Sequence, residues 1–208
     1  IAAVADPAAD GEVHFDFTDA STWPAALDGV DRVFLLRPPA LSDVTTHIRP
    51  FIAELERRDV GHVVFLSLMG VNRAMPHWQV EQDVKAAGER TGLGWTMLRP
   101  AFFMQNLTGP YRSDVCDDDT INRPAGSGAF SFVDAADLAE VAALVLRRPA
   151  AHVGETYTLT GATAHRYDEV ASMLSAAVGR PITYEPRGLL SWRREMIAAG
   201  ADSTYANV

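Results

Sequence analysis

Cysteine is almost missing from this sequence. Cys116 stands alone, so the chain cannot close a disulfide on itself, and an intracellular, cytoplasmic setting is the expectation. Basic runs are missing too. The formal net charge of -9 repels a phosphate backbone, so nucleic acid is not an expected partner. No apolar stretch reaches the ~18 residues of a membrane-spanning helix, and no signal peptide is read at the start, so no membrane partner is expected. Common catalytic signatures are lacking as well: there is no G-x-S-x-G, H-E-x-x-H, C-x-x-C or P-loop. His14, His47, His62, His152 and His165 are scattered without ligand spacing. The run Asp117-Asp118-Asp119 lacks the glycine turn and downstream glutamate of a calcium loop. No metal is expected.

What is present is an ordinary globular composition, 48% hydrophobic and 22% charged, enough for one domain or a domain with a small appendage. Short β-branched or apolar runs alternate with helix-period segments. The runs Ile1–Val4, Val13–Phe15, Arg32–Leu36, His62–Leu66, Trp95–Leu98, Thr156–Leu159 and Ile182–Tyr184 read as strands. Val44, Ile48, Phe51, Ile52 and Leu55 share one helix face, which Pro50 kinks or restarts. Val80, Val84 and Ala87 mark a second helix. A third has Asp134 and Asp137 as caps and Leu138, Val141, Ala142 and Val145 as its core face. Tyr167, Val170, Leu174 and Ala177 mark a fourth.

This alternation predicts an α/β fold, a doubly wound (Rossmann-like) parallel sheet. "RVFLL" and "HVVFL" are apolar almost throughout, as strands covered on both faces are. The texture changes after Leu146. The expected organisation is a dinucleotide-binding domain over residues 1–150 and a small α/β substrate-binding lid over 151–208.

Ligands of open parallel sheets bind beyond the carboxyl ends of the strands. Asp16 and Phe17 follow one strand, "RPPA" the next, Ser67 and Leu68 the next. "RPAFFMQN" follows Trp95–Leu98, where Pro100 ends the ladder. Flat apolar surface with isolated polar groups suits a nucleotide and an aromatic substrate.

The stretches "HFDFTD", "DGVDRVFLLRPPA", "HVVFLSLMGV", "PHWQVEQ", "GWTMLRPAFFMQNL", "PAGSGAFSFVDAADLAEVAALVL" and "GETYTLTG", in that order, resemble the NmrA-like family of atypical short-chain dehydrogenases/reductases. These are NAD(P)H-binding oxidoreductases often described as sugar-epimerase-like. The likeness runs along essentially the whole chain. It implies that Asp16 and Phe17 bracket the adenine of NAD(P)H. By the same likeness Leu36, Arg37 and Pro38 lie under the adenosine ribose and pyrophosphate, while Leu66 and Ser67 approach the nicotinamide ribose. Pro100, Ala101, Phe102 and Phe103 would form the loop beside the nicotinamide. Phe103, Met104, Gln105 and Asn106 would turn toward substrate.

Two departures from the family pattern matter. Its Gly-x-x-Gly-x-x-Gly turn is not found here. Ile1–Val4 with Asp6-Pro7 looks like its second strand, so the first strand and helix are expected to be missing, and the end at Tyr205–Val208 looks early. Where relatives carry Tyr-x-x-x-Lys, this sequence has His77 and Glu81. His77 as a proton donor held by Glu81 is one reading; a helix-start residue beside a surface charge is the other. Ser67 is a second candidate, orienting a carbonyl.

The expected activity is NAD(P)H-dependent hydride delivery to a small aromatic or quinone-like acceptor. The alternatives are a dinucleotide sensor without turnover and a non-redox isomerase or cyclase. Relatives carry an arginine before the Asp-Pro for the NADP phosphate; Ala5 stands there, which tilts the expectation toward NAD. The sequence does not set the oligomeric state, and a homodimer stands as one option.

Overall fold

The computed structural model describes residues 2–198. Ile1 and the Tyr205–Val208 end lie outside the described residues. In chain order the elements are β1 (Ala2–Val4), β2 (Glu12–His14), α1 (Trp23–Ala26), β3 (Arg32–Leu36), α2 (Val44–His47) and α3 (Arg49–Arg57). Next come β4 (His62–Leu66), α4 (Pro76–Thr91), β5 (Gly94–Pro100), β6 (Phe102–Phe103), α5 (Arg112–Cys116) and β7 (Thr120–Ile121). The remainder are β8 (Ala129–Val133), α6 (Ala135–Arg147), β9 (Glu155–Leu159), β10 (Ala164–Arg166), α7 (Tyr167–Val178), β11 (Thr183–Tyr184) and α8 (Leu189–Ala198).

Two compact units result. The first holds the residues up to Arg99 together with Ala142–Tyr157; the second holds Pro100–Val141 and the residues from Thr158 on. The chain thus crosses between units at Pro100, at Ala142 and at Thr158, whereas the sequence reading divides it once, at residue 150.

In the first unit β1 pairs β2 in parallel, with Ala2 opposite Glu12 and Val4 opposite His14. A separate sheet runs in the order β3-β4-β5-β9. Its first three strands are parallel, with Leu36 opposite Leu66 and Leu66 opposite Leu98. This is the α/β class that the alternating pattern predicts. Leu35, Val63, Phe65 and Met97 pack against Phe51, Ile52 and Leu55 of α3 and Val80, Val84 and Ala87 of α4. Each large apolar side chain so buried contributes about 1.5–3 kcal/mol.

Local chemistry sets the helix limits. Pro50 lies in the first turn of α3, where its missing N–H costs nothing, so the helix restarts there. Helix α4 opens on Pro76 and stops at Gly92, whose φ of 81° is left-handed backbone that glycine adopts without strain. Burial corrects one expectation. His62 to Phe65 of β4 are buried, as a strand covered on both faces requires, but Phe34 and Leu36 of β3 are 40% and 52% exposed. Side chains alternate along a strand, so β3 buries Leu35 against the helices while the face bearing Phe34 and Leu36 stays open.

The second unit contains a sheet in the order β10-β8-β6 and a parallel pair β11-β7. Strand β8 is antiparallel to β10 and parallel to β6. Its core gathers Leu107, Val115, Ile121, Phe132, Tyr167, Val170 and Ile182, with Phe102 packed on it.

Candidate functional site

The residues expected to bind ligand fall into two groups, one in each unit. In the first unit they sit at the carboxyl ends of parallel strands. Asp16 follows β2. Its Oδ1 accepts from the Thr18 amide at 2.7 Å and the Thr18 hydroxyl at 2.8 Å, which holds its carboxyl below the usual range. Oδ2 has no hydrogen-bond partner among the described residues. The Phe17 ring is half-buried and meets Phe15 and Phe51 edge-on, with centroids 4.7 and 5.3 Å apart. It is thus part of an aromatic core cluster.

Leu36 ends β3 and is exposed; Pro38 is half-buried. Arg37 between them is buried. Its Nη1 donates to the carbonyl oxygens of Pro38, Pro39 and Leu41 at 2.8, 3.2 and 2.9 Å. The guanidinium therefore staples its own proline-rich turn.

The strongest polar constellation lies one strand over. Ser67 follows β4, is 4% exposed, and takes backbone order from β5 through its amide, which donates to Leu98 O at 2.8 Å. Its Oγ donates to Glu81 Oε1 at 2.6 Å. Glu81, on the face of α4 turned to the sheet, is fully buried. Arg99, near the end of β5, closes the group: Nε to Oε1 at 2.9 Å and Nη2 to Oε2 at 2.6 Å. Lys85, one turn along α4, stands 4.0 Å from Oε2. Burial pushes the Glu81 pKa up, yet the hydrogen bonds from Arg99 and Ser67 and the charges of Arg99 and Lys85 prevail, leaving it below the usual carboxyl range.

This geometry corrects the expected pairing of His77 with Glu81. The carboxylate is taken by Ser67 and Arg99, because a buried anion is stable only with full hydrogen-bonding and a counter-charge. His77 lies beside Phe65, ring centroids 6.2 Å apart, and its buried Nδ1 has no hydrogen-bond partner among the described residues. Burial, then the Arg37 charge, lower its pKa to about 4 against a smaller opposing pull from Glu81. At neutral pH it is an uncharged imidazole. The Ser67 hydroxyl is engaged with Glu81 Oε1.

In the second unit Pro100 and Ala101 are buried, and the Ala101 amide donates to Leu159 O at 2.8 Å. Phe102 packs into an aromatic cluster with Phe132, Tyr111 and Tyr167, at centroid distances of 5.5, 6.0 and 6.3 Å. Phe103 is half-buried, Met104 is 46% exposed and Asn106 is half-buried. Gln105 is exposed. Its Nε2 donates to Asp134 Oδ1 at 2.7 Å and its Oε1 accepts from the Ala135 amide at 3.0 Å. Both ends of the amide serve the start of α6, whose first N–H groups need acceptors.

Arg99 is the residue that sequence reasoning missed. Its signal is present: a cation at the end of an otherwise apolar strand, with a carboxylate at a core-facing position of the preceding helix.

A sequence model of the NmrA-like family matches residues 12–191. The prestalk A differentiation protein A of Dictyostelium discoideum is 30% identical over 194 residues, covering 93% of this chain and 62% of that protein. The NAD(P)H azoreductase of Xenophilus azovorans is 33% identical over 196 residues, covering 92% of this chain and 67% of that protein. The chain thus spans 62% and 67% of the length of these curated relatives. An NADPH-dependent quinone oxidoreductase from Escherichia coli, solved with NADPH, superposes with a TM-score of 0.75 at 20% identity, over 94% of this chain and 69% of that one. That likeness shows a common fold.

Proposed function

The chain belongs to the NmrA-like family, and from that premise we propose that it is an NAD(P)H-dependent oxidoreductase reducing a small aromatic or quinone-like acceptor. The observation that carries the reading is the 33% identity, across 92% of this chain, to an NAD(P)H azoreductase. The strand ends of the first unit fit the dinucleotide. Exposed Leu36 and half-buried Leu66 offer flat apolar surface. Asp16 Oδ2, without a partner among the described residues, suits an N–H or O–H of the adenosine. His77 Nδ1, without a hydrogen-bond partner among the described residues, suits a polar atom of the ligand. No glycine-rich phosphate turn occurs among the described residues.

The bound nicotinamide would supply the hydride. The chain's own residues position and exclude water. Pro38 and the Arg37 staple fix the turn after β3. Leu36 and Leu66 form the apolar floor, and the pair of buried Glu81 with half-buried Arg99 holds the ends of β4 and β5 in register. His77, neutral at physiological pH, contributes a hydrogen bond rather than a charge. Within the second unit, half-buried Phe103 and exposed Met104 offer apolar surface.

The finer points of the proposal are a preference for NAD over NADP, a homodimer and a cytoplasmic location. Ala5 offers no charge for a 2′-phosphate, and Arg37 Nη1 is committed to carbonyl oxygens. Among the described residues no helix is long and apolar enough to cross a membrane. The test is titration of the full-length protein with NADH and NADPH, then quinone- or azo-dye-dependent oxidation of whichever binds. Binding followed by turnover supports the reading. Binding without turnover of any acceptor points instead to a dinucleotide sensor, a reading that neutral His77 and the committed Ser67 hydrogen also favour.

A further inference from the structure

His62 is a titratable side chain that the functional reading does not use. It opens β4 between two parallel neighbours, opposite Arg32 of β3 and Gly94 of β5, and is 2% exposed. Its Nε2 lies 2.9 Å from the Oγ1 of fully buried Thr96, and that hydroxyl donates to the His152 carbonyl at 2.7 Å. Nδ1 lies against the Gly94 backbone, since a Cβ built on Gly94 would stand 2.5 Å from it. Among the described residues Nδ1 makes no hydrogen bond.

A neutral imidazole carries one hydrogen, and Thr96 satisfies the nitrogen that faces it. An imidazolium carries a hydrogen on each nitrogen, and the second would sit in a dry place without an acceptor. The surrounding charges do not compensate. Burial first, then the charges of His152 and Arg32, oppose protonation, while Asp31 favours it from a side chain that is 67% exposed. Arg99 of β5 lies at the far end of that strand, and Arg147 and Arg148 at the end of α6 are exposed. Water reaches a protonated ring with least disruption if the turn beyond Thr96 lifts. In that turn only His152 and Tyr157 are half-buried, the residues between them being exposed, and β9 is the last strand of its sheet. Exposed edges of this kind open at lower free energy than a core. The turn is fastened by the Thr96 bond and by the Gly154 amide, which donates to Trp95 O at 2.8 Å. Within it His152 Nδ1 and the Tyr157 hydroxyl lie 2.8 Å apart.

We propose that His62 is an acid-sensitive clasp: the neutral ring, through Thr96, keeps the His152–Tyr157 turn against β5, and the protonated ring lets it go. What it holds is the end of Ala142–Tyr157, the stretch of chain that returns to the first unit.

The test follows exchange of the Gly154 amide by NMR in the full-length protein, from about pH 7.5 to about pH 5, with intrinsic rates divided out. In the wild type, opening should rise as pH falls below about 6.5, approaching tenfold per pH unit, because the open turn lets one proton bind. The rise should level off at the midpoint of the His62 ring's own titration. His62→Gln keeps a hydrogen-bonding group for Thr96 and takes no proton, so its opening should stay constant across the range. His152→Gln removes a neighbouring charge and leaves the sensor, so the rise should persist. A flat wild-type profile, a rise that survives in folded His62→Gln, or one that vanishes in His152→Gln overturns the inference. If His62→Gln does not fold, the wild-type levelling point decides: a value away from the His62 midpoint overturns it.

Discussion

Replacing Arg99 by methionine removes the counter-charge of a carboxylate that has no contact with water. The side chain of Arg99 is itself 30% exposed while that of Glu81 is fully buried, so the loss falls mainly on Glu81. Breaking a buried pair from one side costs about 3–5 kcal/mol. Ser67 and Lys85 stay in place, and protonation of Glu81 offers a partial escape, so the lower end, about 3 kcal/mol, is the expected value. For a domain of this size about 2–4 °C of Tm follows each kcal/mol, giving a fall of about 6–12 °C. The second variant, Arg99→Met with Glu81→Gln, removes the stranded charge and should recover a third or more of the loss. The pH dependence has a definite sign. The folded-state pKa of Glu81 is depressed, so the pair's stabilisation is present above the unfolded carboxyl range and is lost as pH falls through the folded value. Urea unfolding of the wild type and both variants at neutral pH measures these terms. A loss under about 1 kcal/mol for Arg99→Met, the range of solvated surface pairs, would refute the reasoning.

Phe102→Ala should cost about 3–4 kcal/mol, because its ring is set in the aromatic cluster of the second unit. Phe103→Ala should shift KM or kcat with a much smaller loss, and Met104→Ala should leave stability within about 0.5 kcal/mol; denaturation and steady-state kinetics on the same samples separate the two effects, and a core-sized loss at Phe103 counts against its border role. His77 has a folded pKa of about 4 against an ordinary 6.5, so the unfolded chain takes up this proton first and stability falls as pH drops from about 6.5 toward 4. His77→Phe should flatten that slope; a slope equal to that of the wild type would sink the assignment. NAD should bind more tightly than NADP by about tenfold to a hundredfold, the worth of the missing charge-assisted phosphate contact, and side-by-side titrations showing NADPH tighter would reverse the preference.

The sequence was a good guide wherever a local pattern determines the outcome. "RVFLL" and "HVVFL" are strands with the expected limits because continuous β-branched and apolar runs have few alternatives. Pro50 restarts a helix because of its own covalent geometry. The strands β6, β7, β8 and β10 were not legible. Two of them have two residues each, too few for a period. The polar site failed for a different reason. Glu81 sits at i+4 from His77, and spacing alone cannot tell which neighbour a side chain turns to. Tertiary context turned it to Ser67 and Arg99, residues 14 and 18 positions away. Gln105 likewise looked free to meet a substrate because its true partners, Asp134 and Ala135, are distant in sequence.

Ser67, Glu81 and Arg99 belong to consecutive pieces of chain: the end of one strand, the connecting helix and the end of the next strand. Ordering this group needs only one crossover to close, a short-range event in chain terms. A helix held together only by apolar packing can slide or loosen by degrees, trading a little burial at a time. Helix α4 has less freedom to do so, since any displacement that leaves Glu81 dry but out of reach of Ser67 or Arg99 carries the cost of a bare internal charge. Half-docked positions are therefore sparse. The crossover behaves as a latch with two states, seated or released, and the last stretch of β5 before Pro100 is fixed by the same closure.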